Sequence, residues 1–150
     1  MGKAQIIGKI AVCFLLFVAF QVAAAPRTAD DRKEQPAPEG KLSVEKMESH
    51  GHAVLTIDSG VECEFVKGTW ITYKRKRIVL EEDSVKFYSN KFSELIEIDC
   101  GTKQGRICKG IFRIKDGLIE ICISAPGGTR PKEFDSKQGI LWQMRQLPME

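Results

Sequence analysis

The chain of 150 residues holds only two histidines, and both fall in His50-Gly51-His52. That scarcity removes the usual base for a serine or cysteine nucleophile. The Gly-x-Ser-x-Gly elbow, the P-loop, the dinucleotide fingerprint and the His-Glu-x-x-His motif are also missing. Carboxylates mostly alternate with apolar residues, as on solvated strand faces, so we expect no catalytic residues and no enzyme. A His-x-His pair on a strand points both rings to one side, and Cys63 could add a third ligand. No acidic or further sulfur ligand stands at a useful spacing, so neither a metal nor another cofactor is expected.

Long apolar runs are lacking too. "IAVCFLLFVAF" (residues 10–20) has eleven residues, whereas a membrane-spanning helix needs about 20. Lys3 and Lys9 precede it with no acid, and "QVAAAP" supplies small residues after it. This is the pattern of a signal peptide spanning 1–24, cut after Ala24. Cys13 lies inside the apolar run, too early for a lipoprotein acceptor. The processed chain is expected to be secreted or periplasmic and not membrane-spanning.

Processing also removes most of the net charge. Without Lys3 and Lys9, 21 basic residues face 20 acidic ones, so nothing pulls the chain toward nucleic acid or anionic lipid. The basic run in "YKRKR" (73–77) is followed closely by Glu81-Glu82-Asp83. It reads as a solvated hairpin whose signs cancel, because a nucleic-acid stripe would be longer and interleaved with aromatics. Five cysteines become four: Cys63, Cys100, Cys108 and Cys122. An even number in an exported chain suggests disulfides, and four cysteines allow three connectivities.

What the sequence does hold is strands. Residues 25–41, rich in proline and charge, lack a large apolar residue and are expected to form a flexible tether. The body, 42–150, reads as "AVLTI", "VECEFV", "TWITY", "RIVLE", "SVKFY", "ELIEIDC", "ICKGIFRIK", "LIEICIS" and "GILWQMRQL". Turn signals such as Asp58-Ser59-Gly60, Ser89-Asn90-Lys91 and Lys115-Asp116-Gly117 separate them. "KLSVEKMES" alone has weak helical character. In "ELIEIDC", Ile96, Ile98 and Cys100 share a face opposite Glu97 and Asp99; "CKGIFRIK" and "LIEICIS" alternate similarly. One dry and one wet face, repeated in a small chain, predicts an all-β, antiparallel, barrel-like domain.

The run from Lys109 to Leu147 also resembles a family of small exported domains abundant in planctomycete bacteria. Its pattern joins a glycine-aromatic strand, a tight turn, a strand ending Leu-x-Ile-Cys, a Pro-Gly loop with Arg-Pro-x-x-Phe, and a last strand closing on a basic residue. Gly110, Phe112, Gly117, Ile119, Ile121, Cys122, Pro126, Arg130, Pro131, Phe134 and Arg145 occupy its positions. The resemblance implies a lipocalin-like β-barrel and no established biochemical role. The Gly-x-Trp of the family's first strand has its counterpart only late, at Gly68-Thr69-Trp70, which leaves open whether the first strands are shortened or rearranged and whether the barrel is closed or incomplete.

Two functions fit this reading. In the first, the interior, lined by Phe87, Ile98, Phe112 and Ile121, binds a small apolar ligand. In the second, the interior is packed, and loops and the 74–77 basic run contact a cell-envelope protein or polysaccharide. Phe134 is expected to plug one end of the barrel. Arg130 reads as a staple for loop carbonyls or a carboxylate, with an anion anchor at a pocket mouth as the alternative. The turn in "CGTKQGRIC" predicts a cross-hairpin disulfide between Cys100 and Cys108. Cys63 is expected to point inward and Cys122 to lie on the opposite face.

Overall fold

A computed structural model describes residues 31–148, apart from 83 and 92. The expected signal peptide and the first part of the tether lie outside the described residues. The described residues form eleven strands: β1 (Arg32–Gln35), β2 (Lys41–Ser49), β3 (His52–Thr56), β4 (Val61–Val66), β5 (Thr69–Lys74), β6 (Arg77–Glu82), β7 (Lys86–Asn90), β8 (Ser93–Gly101), β9 (Ile107–Lys115), β10 (Leu118–Ile123) and β11 (Ile140–Gln146). All join one antiparallel sheet, ordered β1-β7-β8-β9-β10-β11-β2-β4-β5-β6, with β3 alongside β2. The sheet curls strongly into a half-barrel, compatible with an incomplete lipocalin-like barrel. Among the described residues no helix is long and apolar enough to cross a membrane.

Tight turns set the hairpins. His50-Gly51, Lys67-Gly68 and Asp116-Gly117 each place two successive residues at positive φ, between 50° and 79°. That conformation matches the right-handed twist of the strands it joins. Arg75 and Lys76 do the same at φ 52° and 64° without a glycine, at a conformational cost of about 1 kcal/mol or more per residue.

"KLSVEKMES" is strand β2, not helix. Leu42 and Val44 are fully buried, and Met47 packs on the same core. A bulge explains the mixed spacing. Met144 pairs with Val44 and Gln143 with Lys46, leaving Glu45 as the extra residue. Inward positions therefore step by two and then by three, which mimics a helical period.

One dry cluster fills the concave side. It joins Leu42, Val44, Cys63, Trp70, Phe87, Ile98, Phe112, Ile121, Trp142 and Met144. Rings run across it in contact: Phe112 to Phe87 at 5.4 Å, Phe87 to Phe65 at 5.3 Å, Phe65 to Trp70 at 5.4 Å, and Trp70 to Trp142 at 5.2 Å. The Val85 N–H donates to the Gly68 carbonyl at 2.6 Å, tying the approach to β7 to the β4–β5 turn.

Two expectations are corrected here. Residues 32–35, inside the expected tether, form β1 and pair with β7. Backbone ladder bonds and ion pairs order this segment, so the shortage of apolar side chains does not keep it loose. Phe134 does not plug the barrel. The loop after β10 lies over the convex face, where Ile111, Cys122 and Leu141 are buried and Leu95 and Phe134 pack on them. The outer face of β8–β11 is thus covered by its own loop and is not the wet face that alternation suggested. The Arg113 guanidinium sits over the Phe134 ring, 4.1 Å from its centre.

These locations separate two substitutions. Phe112→Ala, in the interior, should cost about 3–5 kcal/mol. Half-buried Phe134 should cost about 1–2 kcal/mol as Ala, a midpoint shift of roughly 4–8 °C per kcal/mol. Thermal unfolding of the two variants checks this, and equal losses would contradict the outer-face position of Phe134.

Candidate functional site

The four side chains expected to line a ligand site come together, and they touch. Phe87, Ile98, Phe112 and Ile121 are all buried in the interior cluster. Phe87 meets Phe112 edge-on and Ile121 pairs directly across from Phe112. Gly110 belongs to the same wall. A Cβ there would come within 2.7 Å of both the Cys122 carbonyl oxygen and the Ile98 side chain, so glycine is required by contact.

Arg130 stands on the outer side of that wall. Its Nη1 donates to the carbonyls of Ile98 at 3.0 Å and Gly110 at 2.6 Å, and its Nη2 donates to Asp99 at 2.7 Å. Glu97 lies 3.4 Å from the same guanidinium. Arg32 of β1 closes the cluster, with Nε 2.9 Å from Glu97 and Nη2 3.0 Å from Asp99. The Arg32 guanidinium also covers the Tyr88 ring at 3.9 Å. Two arginines from distant segments thus meet two carboxylates of β8. This geometry is that of a staple joining β1, the β8–β9 pair and the outer loop.

The other motif residues serve the same loop and its neighbours. Pro131 is buried, the Pro126 carbonyl accepts from Arg106 at 3.1 Å, and Ile119 is interior. Arg145 is exposed on β11 and pairs with Glu45 at 2.6 Å. On the same convex face Glu120 accepts from Arg113 and, at 2.8 Å, from Gln143.

The cysteines follow their strand parity. Cys63 lies in the interior beside Thr72, and Cys122 in the outer cluster, where its thiol faces the Asp135 carbonyl. The sheet separates the two. Burial raises both thiols above their ordinary value. Cys100 faces Cys108 directly across the β8–β9 pair. His50 and His52 are exposed at the β2–β3 turn while Cys63 is buried, so the structure does not bring these three together.

The remaining feature is β6. Among the described residues it pairs with β5 alone and ends the sheet. Ile78 and Val79 are each 57% exposed and Leu80 is 38% exposed, which makes this a projecting apolar edge. The basic run forms its turn, as the sequence suggested. Two open concavities flank the hairpin, one of about 580 Å³ lined by Lys74, Arg75, Arg77 and Val79, the other of about 1220 Å³ reaching Lys41, Glu62, Glu64 and Tyr73.

Sequence reasoning missed the Arg32–Glu97–Asp99–Arg130 cluster and the outer core. A signal for the latter existed. Leu95, Ile111, Cys122 and Leu141 all fall on outward positions, with Ile111 and Leu141 both paired to Cys122. No family model, curated protein or solved structure matches the chain.

The ion cluster sets an acid limb of stability. Burial alone would raise Asp99, but Arg130 and then Arg32 outweigh it and hold the carboxyl below its ordinary value of 3.8. At Glu120, burial is likewise outweighed by Arg113, Gln143 and Lys115, giving a value below 4.5. The unfolded chain therefore binds protons more readily. The stabilisation is complete above those ordinary values and is lost as pH falls through the lower folded ones. Denaturant titrations from about pH 6 to about pH 3 should show this loss, and Asp99→Asn should start less stable at neutral pH and fall less steeply. Parallel curves would show that Asp99 does not carry the effect.

Proposed function

We propose that this chain is an exported, non-catalytic interaction module with a filled interior, and that the β5–β6 hairpin is its contact element for a protein partner. One observation carries the reading: the terminal strand of the sheet exposes Ile78, Val79 and Leu80 together. Exposed apolar edge strands are templates for strand addition, and folded proteins normally blunt or cover them. The mutual packing of Phe87, Ile98, Phe112 and Ile121 supports a filled interior over one holding a small apolar ligand. The leader-like N-terminus supports a secreted or periplasmic address. The Lys109–Leu147 pattern supports kinship with the exported lipocalin-like domains it resembles.

A fluorescent apolar probe separates this reading from ligand binding. On dilute protein, uptake should be weak, lost in Ile78→Lys and Val79→Lys, and unchanged in Phe112→Leu. Saturable binding that survives both β6 changes and is displaced by envelope extracts would favour the interior as the site.

We also propose that Cys100 and Cys108 form a disulfide after export by thiol–disulfide exchange, in which the disulfide of an oxidising partner in that compartment takes up the two electrons and two protons and leaves as its dithiol. Facing residues of an antiparallel pair lie about 4.5–5.5 Å apart at Cα, within the span of a disulfide. Closing so short a loop should add about 2–3 kcal/mol. Peptide mapping of exported protein without reductant should recover the 100–108 linkage. A Cys100 that alkylates in the folded, oxidised protein would contradict it.

A further inference from the structure

The β6 edge carries its own complement. Read from the turn, it is basic at Arg75, Lys76 and Arg77, apolar at Ile78, Val79 and Leu80, and acidic at Glu81 and Glu82. An antiparallel strand of the same sequence presents these blocks in reverse. We propose that β6 pairs antiparallel with β6 of a second copy of this chain, about a two-fold axis between Val79 and Leu80, giving a dimer with a sheet continuous across it. This inference names the partner for the contact element proposed above and rests on that reading.

In this register Arg77 of each copy falls opposite Glu82 of the other, Ile78 opposite Glu81, and Val79 opposite Leu80. Two oppositely charged pairs therefore flank an apolar centre. Opposite charges across paired strands stabilise them, and like charges there destabilise. Pairing them in parallel and in register would set Arg77 on Arg77 and Glu82 on Glu82, like charge against like.

The backbone supports the same axis. Across the two-residue turn Arg77 pairs with Lys74, so alternation directs the N–H and C=O of Ile78 away from β5. Tyr73 pairs with Ile78 and Thr72 with Leu80, leaving Val79 as a bulge. The bulge resets the alternation and turns the backbone of Glu81 outward as well. Residues 78 and 81 are those that the two-fold axis sets opposite each other, so their free donors and acceptors meet. The contact is isologous and closes after two copies. That closure gives the exposed edge an end point other than open-ended aggregation.

Sedimentation equilibrium of the purified chain over a concentration series tests this. The wild type should show a monomer–dimer equilibrium that weakens with added salt. Arg77→Glu alone, or Glu82→Arg alone, should raise the dissociation constant by about tenfold or more. The double reversal Arg77→Glu/Glu82→Arg in one chain should restore it to within about threefold of wild type, because each new glutamate meets a new arginine. Ile78→Pro, which removes an outward N–H and leaves the β5 ladder intact, should abolish dimers while thermal unfolding stays cooperative. A chain that stays monomeric, or a dimer indifferent to both reversals, overturns the self-pairing. If probe uptake still depends on β6 in a monomeric chain, only the choice of partner is wrong. If uptake ignores β6, the contact element itself is wrong.

Discussion

The edge-on contact between Phe65 and Phe87, 5.3 Å between ring centres, is what the rest of the fold depends on. A single sheet has two faces and no second layer to hide one of them. It can bury its apolar face only by curling until distant strands meet across the concave side. Phe65 lies on β4 and Phe87 on β7, with five strands between them in the sheet order. Their contact, continued to Phe112 on one side and to Trp70 and Trp142 on the other, holds the curl shut. Ring contacts of this kind add about 0.5–1.5 kcal/mol each beyond the area they bury. The hydrogen bond from Val85 to Gly68 reinforces the same closure from the backbone.

That closure stops short of a ladder between the two ends of the sheet, and both faces of the protein reflect it. At one end β1 covers β7, and its Arg32 reaches Glu97 and Asp99 of β8. At the other end β6 extends past the core, and none of the described strands lies on its outer edge. The convex side of β8–β11, which a wholly wet barrel would leave to solvent, is roofed by the loop after β10. Phe134 and Pro131 give that roof apolar weight, and Arg130 fixes it through two backbone carbonyls and two carboxylates. The arginine spends its charge inside the protein, which is why we read it as structural.

Much of this was legible in the residues. Nearly every strand after β2, the β5–β6 hairpin and the facing of Cys100 and Cys108 follow from alternation and turn chemistry, because both act over a few residues. The same alternation separates Cys63 from Cys122. The failures have a common origin. β2 looked partly helical because a bulge at Glu45 breaks the period of two, and a bulge is decided by pairing with β11. β1 looked like tether because its order comes from partners more than fifty residues away. Phe134 looked like a barrel plug because its loop could fold to either side of the sheet.

The sequence by itself determined the class of the fold, the hairpins and which side chains face inward, since those are local consequences of side-chain period and left-handed turn residues. Only the tertiary structure decided which way the Arg130–Phe134 loop folds, which carboxylates meet Arg32 and Arg130, and which strands end the sheet. Those are outcomes of how far an eleven-stranded sheet must curl to bury its rings, and no short window of residues contains that quantity.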